Sequence, residues 1–226
     1  MVRFYCLILP CKFTYKARYS MQDNAKIKVG ISIGDLNGIG CEVILKTFED
    51  PRTLELCTPV VFASSKTLAQ QQQQLGTQLA YQGLASASEA IEGKFNVVNI
   101  WKEIPEVVFG KETKIGGEYA LKSLEAATKA LKEGAIDVLV TAPINKSNIQ
   151  SEAFSFPGHT DYLAKELGGE SLMFMVSDSL RIGLLTDHVA VSEVSNHITP
   201  ELIKSKVKTI LHALQQDFGI RKPKVA

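Results

Sequence analysis

The sequence predicts a layered α/β protein built on a largely parallel sheet. Two observations carry this. Short, β-branched, apolar strands alternate along the chain with segments of helical periodicity. One of the strands, inside "AIDVLVTAPINK", is apolar throughout, as strands covered on both faces are. Ligands of such proteins gather outside the carboxyl ends of the strands. Three loops satisfy that placement: residues 34 to 40, 141 to 146 and 186 to 190.

The first strand is expected from Ile27 to Ile33, running into the glycine-rich "GDLNGIG" and then a helix over Glu42 to Phe48. "TPVVFAS" (58 to 64) reads as the second strand and "KTLAQQQQQLG" as the next helix, its five glutamines as a solvated face. "KFNVVNIW" (94 to 101) is the clearest strand of a less regular region. "GGEYALKSLEAATKALKEG" sets Leu121, Leu124, Ala127 or Thr128, and Leu131 on one helical stripe, closed by Gly134. "SLMFMVS" and "LRIGLLT", parted by Asp178 and Ser179, suggest a hairpin. In the last helix Thr199 can cap, Pro200 suits the first helical position, and Ile203, Val207, Ile210 or Leu211, and Leu214 form the buried face.

Bulk properties narrow the function classes. Of the 226 residues, 25 are Lys or Arg and 24 are Asp or Glu, so no global field favours nucleic acid or an anionic membrane. Four scattered cysteines (Cys6, Cys11, Cys41, Cys57) form no CxxC pair and suit free thiols in a reducing, cytoplasmic setting. No segment reaches the roughly 20 apolar residues of a membrane helix. The apolar run Phe4 to Leu9 is broken by Pro10 and Lys12 and lacks a clean cleavage site. Residues 1–20 are therefore read as a disordered extension ahead of an internal start at Met21.

Chemistry-bearing residues are few. GxxxGxG is neither the dinucleotide fingerprint nor the phosphate loop, so "GDLNGIG" suits a tight turn as well as a ligand contact. In "FPGHTDYLAKELGG", Thr160 as a cap would set His159 and Thr160 at a helix start, where amides and dipole favour a phosphate or carboxylate; an ordinary cap with a surface histidine is the equal alternative. His188 stands just past an apolar strand beside Asp187, which could orient a metal-bound ring, although a lone histidine is more often structural. Lys146 ends a strand and could reach an anion, or simply be a solvated loop lysine. His197 and His212 read as non-catalytic.

Taken together, "GDLNGIGCEV", "TAPINKSNI", "FPGHTDYLA", "LLTDHVAV" and "ITPELI" stand in the order and spacing of the 4-hydroxythreonine-4-phosphate dehydrogenases of pyridoxine biosynthesis. The chain resembles that family from about Lys26 to its last residue. The resemblance implies an isocitrate/isopropylmalate dehydrogenase-like fold with two α/β domains, the first incomplete here: 21–115 as part of an N-terminal domain, 116–226 as part of a middle, dimerising domain. It implies NAD- or NADP-dependent oxidation and decarboxylation of the phosphorylated hydroxy-amino acid, a divalent zinc, magnesium or cobalt ion, and a homodimer. His159 and Thr160 match the family's substrate-contacting pair, and His188 its first metal histidine; the resemblance assigns no catalytic or cofactor-binding residue.

The chain departs from the family at Leu36-Asn37 and at Cys41, where Pro-Ala and proline are usual. The family's further metal histidines and its Lys, Asn and Arg substrate contacts, beyond the match to Ala226, have no counterpart. A C-terminally truncated chain without turnover of its own is therefore expected. The rival expectations are a related dehydrogenase acting on a four-carbon acid such as erythronate 4-phosphate, a phosphate acyltransferase, which "GHTDYLA" and "TDHVAV" fit poorly, and a non-catalytic dimerising fragment.

Overall fold

Apolar strands rich in valine and isoleucine suit the centre of a sheet, where both faces are covered. The computed structural model describes residues 3–10, 26–177 and 179–226. Its strands are β1 (Arg3–Pro10), β2 (Lys28–Ser32), β3 (Thr58–Ala63), β4 (Gln82–Leu84), β5 (Asn96–Asn99), β6 (Val138–Thr141), β7 (Gly169–Val176) and β8 (Arg181–Gly183). Its helices are α1 (Gly40–Phe48), α2 (Thr53–Leu56), α3 (Ser65–Leu75), α4 (Lys114–Lys132), α5 (His159–Leu167), α6 (Val194–His197) and α7 (Pro200–Gln216). Two compact units result: Asp23–His159, and Thr160–Ala226 together with β1.

In the first unit, five strands run parallel in the order β4-β5-β3-β2-β6. All six residues of β3 are buried, as its central place requires. On one side a core forms from Ile31, Ile33, Leu36, Leu45, Val61 and Phe95 with their neighbours. On the other, Val60, Phe62 and Val98 meet Ala127 and Ala130 of α4. The stripe expected on α4 is seen: Leu121, Leu124, Ala127 and Thr128 are buried, and Gly134 takes a positive φ just beyond the helix end. Thr113 caps this helix by accepting from the Gly116 amide. The boundary expected at 115/116 falls in the first turn of α4, which packs on β2, β3 and β6.

Two sequence expectations give way here. The strand of "AIDVLVTAPINK" is an edge and not a doubly covered strand: nothing pairs beyond β6 among the described residues, and Val138 and Val140, which share one face of it, are 41% and 51% exposed. The glutamine run is not wholly solvated. Gln71 is fully buried and donates to the Leu36 carbonyl at 3.0 Å, and Gln72 donates to the Leu79 carbonyl at 2.9 Å. A long side chain with an amide head can satisfy an orphan carbonyl inside the fold, which composition alone does not reveal.

The second unit holds an antiparallel sheet, β1-β7-β8, with Leu172 and Phe174 packed against Ala213 and Ile210 of α7. The expected hairpin is β7–β8, closed by the Ser177 amide donating to the Leu180 carbonyl at 2.8 Å. Thr199 caps α7, accepting from the Leu202 amide, with Pro200 first in the helix. Leu214 is buried as expected, but Ile203 is 40% exposed. Arg3–Pro10 corrects the reading of residues 1–20 as disordered: these residues form β1, paired with β7 from Arg3↔Val176 to Pro10↔Gly169. The physical reason is that a run of β-formers suits a free sheet edge. The rest of that extension and Met21 lie outside the described residues.

Candidate functional site

The glycine loop between β2 and α1 serves the architecture. Gly34 has φ +69°, and a Cβ there would lie 2.2 Å from the Pro143 carbonyl oxygen, so a side chain would push the loop off the segment after β6. The Asp35 amide donates to that same carbonyl at 3.0 Å, and the Asn37 and Gly38 amides donate to Asp35. Asn37 is a clip: its Nδ2 donates to Lys111 O and Thr113 Oγ1, and its Oδ1 accepts from the Val108 amide. The buried Asp35 carboxylate also accepts from Asn148 Nδ2 at 3.0 Å. Loop amides engaged in this way do not fit a cradle for a dinucleotide pyrophosphate. The tight-turn reading is the one the geometry favours, and no residue here is assigned to nicotinamide.

The segment after β6 is ordered by short polar contacts. Asn145 Oδ1 accepts from the Ser147 and Asn148 amides, and its Nδ2 donates to Glu112 at 3.1 Å. Hydrogen bonds from Ser147 and Asn145 hold the Glu112 carboxyl below its usual range. Gln150 Nε2 donates to the Phe156 carbonyl at 2.8 Å, tying this segment to the turn that enters α5. Below it, Ile149 and Phe154 are buried, and Phe154 meets Phe156 edge-on with centroids 5.3 Å apart.

That turn delivers His159. The helix begins at His159, so Thr160 is its second residue and not its cap, as the sequence suggested. Thr160 has interactions of its own. Both residues are half-buried, but the Nε2 atom of His159 is closed off from solvent and has no hydrogen-bond partner. Leaving a buried polar atom unpaired costs about 1–3 kcal/mol. Burial, and then the charge of Lys146, push the imidazole pKa down to about 4, so the ring is neutral at pH 7. Lys146 stands over the turn: its Cε is 3.7 Å from where a Gly158 Cβ would be. Sequence reading noted Lys146 but not its pairing with His159, which the intervening loop brings about.

His188 belongs to the second unit, in the loop after β8, where it and Asp187 are exposed. It is the one non-glycine residue of positive φ (54°) among the described residues. An outlier of that kind carries backbone strain of about 1–3 kcal/mol and is common at ligand-holding sites. Among the described residues no three His, Cys, Asp or Glu side chains gather as metal donors. A zinc ion takes three or four protein ligands. The donor set around His188 among the described residues therefore does not make a zinc site by itself. Nor does a thiol substitute: Cys41 is wholly buried, which pushes its pKa up to about 12, and Cys57 is raised by partial burial. His197 closes the short α6, and His212 lies exposed on α7.

Residues 55–226 match the family model of the pyridoxal phosphate biosynthetic protein PdxA. The chain belongs to the PdxA family. A 4-hydroxythreonine-4-phosphate dehydrogenase of Bacteroides thetaiotaomicron is 46% identical over 91% of this chain and 57% of its own length. A D-threonate 4-phosphate dehydrogenase of Cupriavidus necator is 30% identical over 87% of this chain and 60% of its own. The crystal structure of a 4-hydroxythreonine-4-phosphate dehydrogenase from Burkholderia phymatum superposes with a TM-score of 0.79 at 27% identity, covering 89% of this chain and 62% of that one. The chain thus spans about three-fifths of the length of these relatives. The α/β fold expected from the family likeness, related to isocitrate and isopropylmalate dehydrogenases, is borne out. Its relatives are oxidoreductases by name, and among the described residues no helix is long and apolar enough to cross a membrane.

Proposed function

We propose that this chain carries the substrate-recognising part of an NAD- or NADP-dependent dehydrogenase that acts on 4-hydroxythreonine 4-phosphate in the cytoplasm, as a homodimer. The reaction oxidises the secondary alcohol by hydride transfer to the nicotinamide and releases carbon dioxide from the resulting β-keto acid, giving 3-amino-2-oxopropyl phosphate. Membership of the PdxA family supports the reaction class. One observation of geometry supports the placing of substrate: a neutral histidine with an unpartnered, enclosed Nε2 opens a nine-residue helix and is followed by a threonine.

In this reading His159 and Thr160 hold an oxyanion of the substrate. A helix start favours an anion through its outward amides and dipole. A neutral imidazole adds one N–H and one bare nitrogen, and the ring must turn for its enclosed Nε2 to meet a ligand. His188 is this chain's contribution to a divalent ion, zinc, magnesium or cobalt, whose other donors lie outside the described residues.

The identity of the four-carbon acid is open to a second reading, favoured by the Cupriavidus relative: a phosphorylated sugar acid such as threonate or erythronate 4-phosphate. Calorimetric titration separates them. The chain is expected to bind 4-hydroxythreonine 4-phosphate at least about tenfold more tightly than 4-hydroxythreonine itself, because charge-assisted hydrogen bonds to phosphate are lost without it. His159→Asn and Thr160→Val should each weaken binding. Equal affinity with and without the phosphate contradicts the reading, and tighter binding of erythronate 4-phosphate transfers it to the second substrate.

A further inference from the structure

We propose that Lys146 is a second anion-holding residue of the α5 site, its ammonium and the His159 imidazole together receiving one oxyanion of the substrate. The inference rests on the substrate placement proposed above and adds a residue to it.

Three observations lead to Lys146. The first is position: its Cε lies 3.7 Å from the Cβ position of Gly158, the residue immediately before the helix, so the end of the side chain sits on the turn that presents His159. The second is an unspent charge. Lys146 is exposed and makes no ion pair among the described residues, although an acidic side chain is close in the fold: Glu112 is bound by Asn145 and Ser147 on either side of it. The third is a need. His159 is neutral at pH 7 and its Nε2 lacks a partner, so the imidazole brings directionality to an anion but no net charge. A phosphate or carboxylate is held more strongly with a cation beside it, and a lysine serves such groups as a flexible point charge.

The loop around Lys146 is also built to hold it there. Asn145 folds the backbone back by accepting two amides, Ile149 anchors the segment in the core, and Gln150 fastens it to Phe156. The stem of Lys146 thus starts from a fixed point while its head is free to follow a ligand.

The test uses the whole chain, with 4-hydroxythreonine 4-phosphate and inorganic phosphate as probes, and the variants Lys146→Met, Lys146→Arg and His159→Asn. Lys146→Met is expected to weaken substrate binding about tenfold or more, and Lys146→Arg to keep it within about threefold. Nuclear magnetic resonance of the His159 ring supplies a readout that a merely structural lysine would not move. Phosphate should shift the ring signals in the unaltered chain and not in Lys146→Met, and the ring should protonate at higher pH in that variant. If Lys146→Met binds as the unaltered chain does while His159→Asn does not, the lysine proposal fails and the substrate site stands. If neither variant changes binding, or the unaltered chain binds neither probe, the site itself is misplaced and the lysine role falls with it.

Discussion

His159 refuses a proton in the folded chain that it accepts in the unfolded one. Burial and the nearby Lys146 ammonium lower its pKa from 6.5 to about 4. The stability contributed by the neutral ring is complete above pH 6.5. It is lost as pH falls toward 4, because the unfolded chain takes up the proton first. The full displacement corresponds to about 3 kcal/mol, an upper bound for a ring that is only half-buried as a whole. Chemical denaturation at about pH 7.5 and about pH 4.5 should therefore show a loss of about 1–3 kcal/mol that is smaller in His159→Gln. An identical loss in both proteins would mean that the imidazole is solvated. The helix start was legible from a histidine and threonine ahead of an amphipathic run. The neutrality of the ring was not, because it depends on a lysine from another loop and on enclosure of one nitrogen.

At the scale of elements, strand, loop and helix around "GDLNGIG" were readable from alternation and glycines. What the loop does was not, since GxxxGxG suits a ligand and a turn alike. The structure resolves this through Asn37, which fastens the loop to residues 108–113 by three side-chain hydrogen bonds. Removing them deletes three part-buried hydrogen bonds made by a buried side chain, so Asn37→Ala should cost about 1–3 kcal/mol in equilibrium unfolding. A cost below about 0.5 kcal/mol, the level of an ordinary surface change, would show that the clip is replaced by water. The same limit of local reading explains β6 and the glutamine run. A strand's apolarity does not say whether a neighbour lies on each side, and a polar side chain does not announce that its head will cap an inner carbonyl. Leu36 and Cys41, which depart from the family pattern, are both fully buried and pack in the core of the first unit.

For the whole molecule, family and fold were legible because separated blocks agreed in order, and the PdxA match over residues 55–226 bears this out. Composition alone carried much less; near-neutral charge only turned attention from nucleic acid toward a small metabolite. The extension was the weakest reading, since pairing of β1 with β7 depends on an edge supplied by residues far along the chain. Substrate recognition at α5 remains the point on which function turns. The most direct measurement is a crystal structure of the chain with 4-hydroxythreonine 4-phosphate bound. The account predicts an oxyanion of the ligand within hydrogen-bonding distance of both His159 and Thr160, with the Lys146 side chain drawn toward it. A ligand bound elsewhere, with the α5 start still closed over His159, would contradict it.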